Sequence, residues 1–283
     1  MPRRRRADRS GLAFALLGCV AIFGPLAYLA WPSDQEEPSA ADSVATEPDV
    51  GSTEPTPAVV ERDAPLLLQP VLVWADGSIT VQGTGFTADH PRGTFAVTSS
   101  HYIVPSETPL QAMAFGSLPA LDKLGRVEVA WGPIGPCDSE SADDMRDDYL
   151  VMPTPPLAGL QRLQLDPRDE IPVGEAVWFP DKNDEATAGY VVRTGRVTRS
   201  SLGALEVALD QPITLESQSG SPVLSETSNR VVGILGGADS EQGQRLYFAP
   251  VSVLRAVMDD EQREPVPLSE ALMQWIPGPD ETQ

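Results

Sequence analysis

Residues 70–82 have the sequence PVLVWADGSITVQ, and this stretch shows the pattern that recurs along most of the chain. An apolar run at 70–74 is followed by Asp76-Gly77 and then by the alternating apolar and polar residues of 78–82. An Asp-Gly pair between two such runs is typical of a β-hairpin, because glycine readily takes the positive φ of a tight turn. The stretch therefore predicts two short antiparallel strands.

The same alternation of short apolar runs and turn residues extends from residue 66 to residue 258. Further strands are predicted at 94–98, 126–131, 149–152, 161–165, 176–179, 189–197, 205–209, 222–224, 231–235 and 246–249. Many of these runs are rich in valine, and no long helical period occurs before 251–258. About twelve short strands in about 195 residues predict an all-β sandwich or barrel.

Composition and charge exclude several classes of protein. An apolar content of 41% and a charged content of 22% are ordinary for a globular chain, which excludes wholesale disorder. Five of the 20 basic and one of the 41 acidic residues precede residue 32, so the remainder has 15 basic and 40 acidic residues and a net charge of −25. Such a body is repelled by phosphate backbones, so we expect no nucleic-acid partner. Two cysteines exclude a disulfide scaffold and a cysteine-rich zinc site, and we expect neither a metal nor a cofactor.

The N-terminus predicts a membrane segment. Residues 11–31 carry no charge, follow a basic stub (1–10) with four consecutive arginines, and would span about 31 Å as a helix. The arginines predict a cytoplasmic N-terminus, a single pass through the cell membrane and an extracytoplasmic body. Two alternatives are a lipoprotein cleaved before Cys19, since residues 16–19 resemble a bacterial lipobox, and a cleaved signal peptide. All three place the body outside the cytoplasm.

Low-complexity segments flank the predicted domain at 65–262. Residues 32–64 mix prolines with acidic and small polar residues, which predicts a disordered, extended linker. Residues 263–283 form an acidic, proline-containing tail with one short apolar group.

Three places in the body carry residues suited to catalysis. His101 follows the predicted strand at 94–98, and the chain has only one other histidine, His90. Ser219 lies in a tight polar turn before a strand, where backbone N–H groups are exposed and can form an oxyanion hole. Asp147 and Asp148 precede another apolar strand, where a carboxylate can orient an imidazole. Taken alone, residues in such places more often have an ordinary structural role.

Taken together, these segments resemble the trypsin/chymotrypsin-like serine peptidases over nearly all of residues 66–258. Six motifs occur in the order and spacing of that family: GTGF (83–86), TSSH (98–101), DYLVM (148–152), GEAVWFP (174–180), SGSPVL with VVGI (219–224 and 231–234), and YFAPV (247–251). The resemblance implies two six-stranded antiparallel β-barrels with the active site between them. Within that family, the lack of disulfides in the domain, where Cys137 is the only cysteine, favours the bacterial branch. The run at 11–31 predicts a membrane-anchored member, and the 25 residues after Met258 leave no room for a C-terminal peptide-binding (PDZ) module.

The resemblance assigns roles to individual residues. Ser219 would be the nucleophile, His101 the general base and Asp148 the orienting acid, although Asp147 stays open as an alternative. The backbone N–H groups of Ser217 and Ser219 would bind the oxyanion. Ser217 stands where the family usually has glycine, which leaves open whether the oxyanion hole is formed without substrate.

Two further positions bear on activation and specificity. Gln218 replaces the usual aspartate, so activation by a newly formed N-terminus is not expected. Because no acidic residue lies near the expected specificity pocket, we predict a small or apolar substrate residue before the cut. The residues near that pocket are Ile213, Leu235, Gly236 and Gly237.

The sequence thus predicts a membrane-tethered serine endopeptidase that acts on a protein or peptide substrate. The alternative is a catalytically silent domain of the same fold that binds a partner in the cell envelope. The sequence does not predict an oligomeric state.

Overall fold

A computed structural model of the chain describes residues 58, 60–62, 64–103, 108–117, 123–132, 145–183, 186, 188–213, 215, 217–239 and 243–271. The predicted basic stub, the membrane segment at 11–31 with Cys19, most of the linker and the end of the tail lie outside these residues. Within the described ranges, no helix has both the length and the apolar character needed to cross a membrane.

The first part of the body folds into one mostly antiparallel sheet. Its strands are β1 (Leu68–Trp74), β2 (Ile79–Val81), β3 (Gly85–His90), β4 (Gly93–Thr98), β5 (Leu110–Ser117), β6 (Lys123–Val127), β8 (Leu150–Thr154) and β9 (Arg162–Gln164). The six main strands neighbour one another in the order β6-β5-β1-β3-β4-β8, while β2 pairs with β1 and β9 pairs with β3. A short strand, β7 (Val129–Ala130), leads to Trp131, which exchanges two backbone hydrogen bonds with Val151 of β8 (2.7 and 2.9 Å). These bonds bring the two ends of the sheet together as a barrel.

The hairpin predicted at 70–82 is confirmed. Val71 of β1 lies opposite Val81 of β2, and Val73 lies opposite Ile79. Gly77 has a φ of 84°, the left-handed conformation that the Asp-Gly pair predicts for this turn.

The second part forms a closed barrel. Its strands are β10 (Ala176–Lys182), β11 (Tyr190–Ser200), β12 (Leu205–Leu209), β13 (Pro222–Ser225), β14 (Val231–Ala238) and β15 (Arg245–Pro250). They neighbour one another in the order β10-β11-β12-β15-β14-β13, with β13 closing onto β10. Alternation places Leu205, Val207 and Leu209 inside, where they pack with other apolar residues of this barrel.

A shared core joins the two barrels. Phe86, Phe95 and Trp131 from the first barrel pack with Trp178 and Ile234 from the second. The helix α1 (Val251–Asp259) begins directly after β15 and contributes its buried apolar face to the same core. The interface between the barrels is therefore fixed by apolar packing, which gives groups at their junction defined positions.

Both flanking segments contain residues that lie against the body. At the N-terminal side, the Ala58 N–H donates to the Ser228 carbonyl (2.7 Å), and the Arg62 guanidinium lies 5.0 Å from the ring centre of Trp178. At the C-terminal side, β16 (Val266–Pro267) pairs with β7, and α2 (Leu268–Ala271) places the fully buried Leu268 in the first barrel.

The predicted all-β fold of two six-stranded barrels is confirmed. The strand β5 was not predicted, because its sequence LQAMAFGS is poor in β-branched residues. The run predicted as one strand at 126–131 is divided between β6 and β7.

Candidate active site

Strand pairing brings His101 and Asp148 to the same end of the first barrel. β4 and β8 are antiparallel, with Thr98 opposite Leu150. His101 follows the end of β4 by three residues, and Asp148 precedes the start of β8 by two. Ser99 and His101, which precede Asp148 by 49 and 47 positions in the chain, are therefore its neighbours in space.

The Asp148 carboxylate is fully buried and holds the His101 ring. His101 Nδ1 lies 2.8 Å from Asp148 Oδ2, and the backbone N–H groups of Ser100 and His101 each donate to Oδ1 at 2.9 Å. The His101 side chain is 19% exposed. Its Nε2 makes no hydrogen bond with any described residue, so this atom is available to a substrate or nucleophile.

The surroundings of Asp148 favour its charged form. Burial raises the pKa of this carboxyl, but the hydrogen bond from His101, the charge of His101 and the hydrogen bond from Ser99 lower it more. The net result is a pKa below the ordinary value. A charged carboxylate at Nδ1 fixes the tautomer of the imidazole that leaves Nε2 free to accept a proton.

The structure also places the alternative residues. Asp147 is exposed and ends the short 3₁₀ helix Met145–Asp147; only its backbone carbonyl approaches the site, accepting a long bond from Ser100 Oγ (3.4 Å). His90 lies at the end of β3 and pairs with Asp259 at 3.0 Å. Of the acids and histidines considered, the structure thus brings together Asp148 and His101.

Residues 217–221, which we call the Ser219 loop, reach from the second barrel to the first. The Thr84 N–H donates to the Ser219 carbonyl (2.7 Å), and Thr84 Oγ1 donates to the Ser217 carbonyl (2.6 Å). Gly220 is required for this approach, because a Cβ atom there would overlap the Thr84 carbonyl oxygen and lie 3.0 Å from the Ser99 nitrogen. The half-buried Ser219 is thereby held beside the chain segment that carries His101, although Ser219 Oγ and His101 share no hydrogen bond.

Two N–H groups of the Ser219 loop are not used in hydrogen bonds among the described residues. The N–H groups of Gln218, Gly220 and Ser221 donate to the carbonyls of Leu215, Leu235 and Gln218, respectively. Those of Ser217 and Ser219, the two predicted oxyanion donors, have no partner in the described part of the chain.

Ser217 has a φ of 61°, in the left-handed region. This conformation favours glycine, so a serine is strained at this position.

The residues predicted near the specificity pocket have different environments. The Ile213 side chain is half-buried against the second barrel, and its N–H donates to the Gly243 carbonyl (3.2 Å). The Leu235 side chain is buried inside that barrel, and its backbone bonds to the Ser219 loop. Gly236 faces Asp148, since a Cβ there would overlap Oδ2, and Gly237 pairs with Tyr247 in the sheet. Their roles in specificity stay a prediction.

Two further polar side chains contribute to the site and are not predicted by the sequence. Ser99 Oγ donates to Asp148 Oδ2 (2.5 Å), and Thr84 holds the Ser219 loop as described. Both residues lie within quoted motifs, GTGF and TSSH, but no local pattern separates a hydroxyl that supports a site from an ordinary strand residue. No cluster of three or more metal-ligating side chains occurs among the described residues.

Comparison with known proteins gives a likeness of fold. No protein-family model and no curated protein matches the sequence. Among solved structures, a protease of M. tuberculosis in its active form is 14% identical, with a TM-score of 0.50 over 82% of this chain and 98% of that one. A mutant of the tobacco etch virus protease is 19% identical, with a TM-score of 0.51 over 75% of this chain and 85% of that one. Anisep, a protease of Arthrobacter nicotinovorans, is 12% identical, with a TM-score of 0.48 over 75% and 98%.

The first two structures are only 14% and 19% identical to this chain, so the likeness is one of fold alone. It shows that this chain has the two-barrel, chymotrypsin-like fold.

Proposed function

We propose that this chain is a serine endopeptidase that cleaves peptide bonds through an acyl-enzyme intermediate. One arrangement carries the proposal: a buried, charged Asp148 holds His101 beside a loop on which Ser219 and two available N–H groups are presented together. A buried acid, an imidazole with a free nitrogen, a hydroxyl and two N–H donors are the groups that acyl transfer requires. The likeness in fold to two structures described as proteases supports a peptidase in general, and the serine mechanism is argued from the residues of this chain.

The chemistry follows from these positions. Ser219 Oγ attacks the substrate carbonyl carbon while His101 Nε2 takes the hydroxyl proton, and Asp148 stabilises the resulting imidazolium. The N–H groups of Ser217 and Ser219 bind the oxygen that becomes negative. Collapse of the intermediate breaks the peptide C–N bond, and His101 gives its proton to the leaving amine. A water molecule then attacks the acyl-enzyme with His101 again as the base, which releases the acid and regenerates Ser219.

A second candidate function is a catalytically silent domain that binds a partner in the cell envelope. The absence of a hydrogen bond between Ser219 Oγ and His101 is the observation in its favour. Catalytic hydrogen bonds are often long in the absence of substrate and shorten when it binds, so we favour the enzyme.

Labelling with a fluorophosphonate separates the two candidates. The reagent modifies a serine only when the base and the oxyanion hole activate it. We expect the purified full chain to be labelled on Ser219, and we expect no labelling of the Ser219→Ala variant. An unlabelled wild-type chain, or labelling that persists in Ser219→Ala, would favour the silent domain.

We also propose that the enzyme is tethered to the cell membrane by residues 11–31, with its barrels outside the cytoplasm. The uncharged run and the preceding four arginines support this orientation. Extraction of membranes with alkaline carbonate should leave the chain in the membrane fraction, and a protease added to spheroplasts should digest the barrels. Release by carbonate or protection from the protease would contradict the tether or its orientation.

A further inference from the structure

The side chain of Gln218 connects the Ser219 loop to a buried carboxylate. Gln218 is 3% exposed, and its Nε2 donates to Asp181 Oδ1 (2.8 Å). Its Oε1 accepts the backbone N–H of Lys182 (3.0 Å). Arg193 Nε donates to the second oxygen of Asp181 (2.8 Å) and so neutralises this carboxylate. Both ends of the Gln218 amide are therefore held by strand β10.

The same strand is connected to the first barrel. Lys182 Nζ donates to Gln69 Oε1 (2.6 Å), and Gln69 Nε2 donates to the Gly83 carbonyl (2.8 Å). Gln69 lies on β1 and is 3% exposed. The residue after Gly83 is Thr84, which donates to the carbonyls of Ser217 and Ser219, as described above.

These contacts form a closed circuit of hydrogen bonds. It runs from the Ser219 loop through Gln218 to β10, across the barrel junction through Lys182 and Gln69, and back to the loop through Thr84. We call the side chains of Gln218, Asp181, Lys182 and Gln69, together with Thr84, the loop clamp.

We propose that the loop clamp holds the Ser219 loop with the N–H groups of Ser217 and Ser219 available, so that the oxyanion hole exists before substrate binds. This inference rests on the proposed peptidase function and adds positioning residues to it: Gln218 and Asp181 act through the loop. The side chain next to Ser219 is that of Gln218, and it donates its hydrogen bond to the carboxylate of Asp181. It therefore needs no newly formed N-terminus as a partner. The clamp therefore allows activity without proteolytic activation.

The physical basis is the geometry of the loop. Ser217 occupies a left-handed conformation that is unfavourable for a residue with a side chain, so its surroundings must hold it there. Thr84 holds the carbonyls of Ser217 and Ser219 from one side, and the buried Gln218 amide holds the residue between them from the other. Loss of either hold lets the peptide groups rotate, and the N–H groups of Ser217 and Ser219 are then no longer fixed in position.

An exchange of the two interacting side chains tests the clamp. Gln218→Glu removes the donor and places two carboxylates together, so we expect kcat/KM on a peptide ester to fall about 10- to 100-fold. The double variant Gln218→Glu/Asp181→Asn restores a donor and an acceptor, because the introduced amide at position 181 can donate to the introduced carboxylate at position 218 while its oxygen accepts from Arg193. We expect the double variant to recover to within about threefold of the wild type. The fall should be mainly in kcat, since the hole binds the transition state.

A second measurement does not depend on catalysis. Amide hydrogen exchange in the peptide that covers residues 215–221 should be faster in Gln218→Glu than in the wild type and slow again in the double variant. Ser228→Ala serves as a structural control, because Ser228 lies in the same barrel as the loop and its loss removes a buried hydrogen bond to Asp166 without touching the loop. This control should lower the melting temperature and leave kcat and the exchange of the loop unchanged.

The outcomes separate the clamp from the proposed function. Equal exchange in the wild type and Gln218→Glu, or a double variant that stays as impaired as the single one, would overturn the clamp. In a further outcome, the wild-type chain resists fluorophosphonate while amide exchange in the loop is still faster in Gln218→Glu than in the wild type and the double variant. That result would contradict the peptidase function but would support the clamp as a structural feature.

Discussion

Ser99 Oγ donates a hydrogen bond to Asp148 Oδ2 at 2.5 Å and lies 2.9 Å from His101 Nδ1. Within the described part of the chain, every side-chain hydrogen bond of Asp148 comes from residues 99–101. On the opposite side stands Gly236, whose missing side chain leaves space for the carboxylate. Asp148 and His101 are therefore held together by hydrogen bonds within the first barrel, while the second barrel supplies the Ser219 loop.

Replacement of Ser99 by alanine tests this relationship. Without the hydroxyl, the carboxylate keeps its charge but loses one strong bond, so the His101 ring is held less firmly. We expect Ser99→Ala to lower kcat by roughly 10- to 100-fold with little change in KM, since a bond to a charged group contributes about 1.5–3 kcal/mol. Ser100→Ala removes a longer bond to the same carboxylate (3.2 Å) and should cost less. A fall in both kcat and KM, or a larger loss in Ser100→Ala, would assign Ser99 another role.

The assignment of Asp148 over Asp147 predicts a large difference between two neighbouring variants. Asp148→Asn keeps the shape of the side chain but favours the wrong tautomer of His101, and we expect kcat to fall by about 10⁴-fold. Asp147→Asn changes an exposed side chain that contacts neither His101 nor Ser219, and its kcat should stay within about twofold of the wild type. Steady-state kinetics on a peptide ester at neutral pH measures both. The opposite ranking would transfer the role to Asp147.

The lowered pKa of Asp148 predicts that the free energy of unfolding depends on pH. Its pKa in the folded state lies below the ordinary value of 3.8, so the unfolded chain binds more protons at this site in acid. The stabilisation is present in full above the ordinary pKa and is lost as pH falls through the lowered pKa. The difference in free energy of unfolding between the wild type and Asp148→Asn should therefore shrink as pH decreases from about 6 to about 3. Urea unfolding at each pH measures it, and a difference that grows in acid would contradict the lowered pKa.

Motifs and hydrophobic periodicity are properties of short segments, and they predict those strands and turns that short segments determine. The hairpin at 70–82, the positions of His101 and Asp148 next to predicted strands, and the tight turn at Ser219 all follow from short segments. β5 is different, because its alanine and methionine residues form a strand only through pairing with β1 and β6.

The polar contacts that complete the site join residues far apart in sequence. Gln218 is 37 residues from Asp181, and Gln69 is 113 residues from Lys182. No spacing rule connects such pairs, since their encounter depends on how the two barrels pack. The Ser219 loop is predicted from its residue types, but the side chains that hold it are evident only in three dimensions.

A partly buried ion cluster lies on the chain segment that connects the two barrels. Arg168 donates to both oxygens of Asp166 and to both oxygens of Glu175, and Asp166 is fully buried. Arg168→Met leaves these carboxylates without their cation, so we expect a loss of about 3 kcal/mol in the free energy of unfolding. Arg162→Met is the matched control, because its ion pair with Asp89 is exposed and should contribute less than about 1 kcal/mol. Chemical denaturation compares the two, and equal losses would refute a special role for the partly buried cluster.

The left-handed conformation of Ser217 gives the last prediction. With a φ of 61°, a serine costs about 1 kcal/mol relative to glycine, which adopts this conformation freely. Ser217→Gly should therefore raise the free energy of unfolding slightly and increase kcat/KM on a peptide ester roughly threefold, because the oxyanion hole is formed in a larger fraction of molecules. Ser217→Val introduces a β-branched side chain that resists this φ, and it should lower kcat/KM at least about tenfold. If Ser217→Gly lowers kcat/KM and Ser217→Val does not, then the left-handed conformation of Ser217 is not the one that binds the oxyanion.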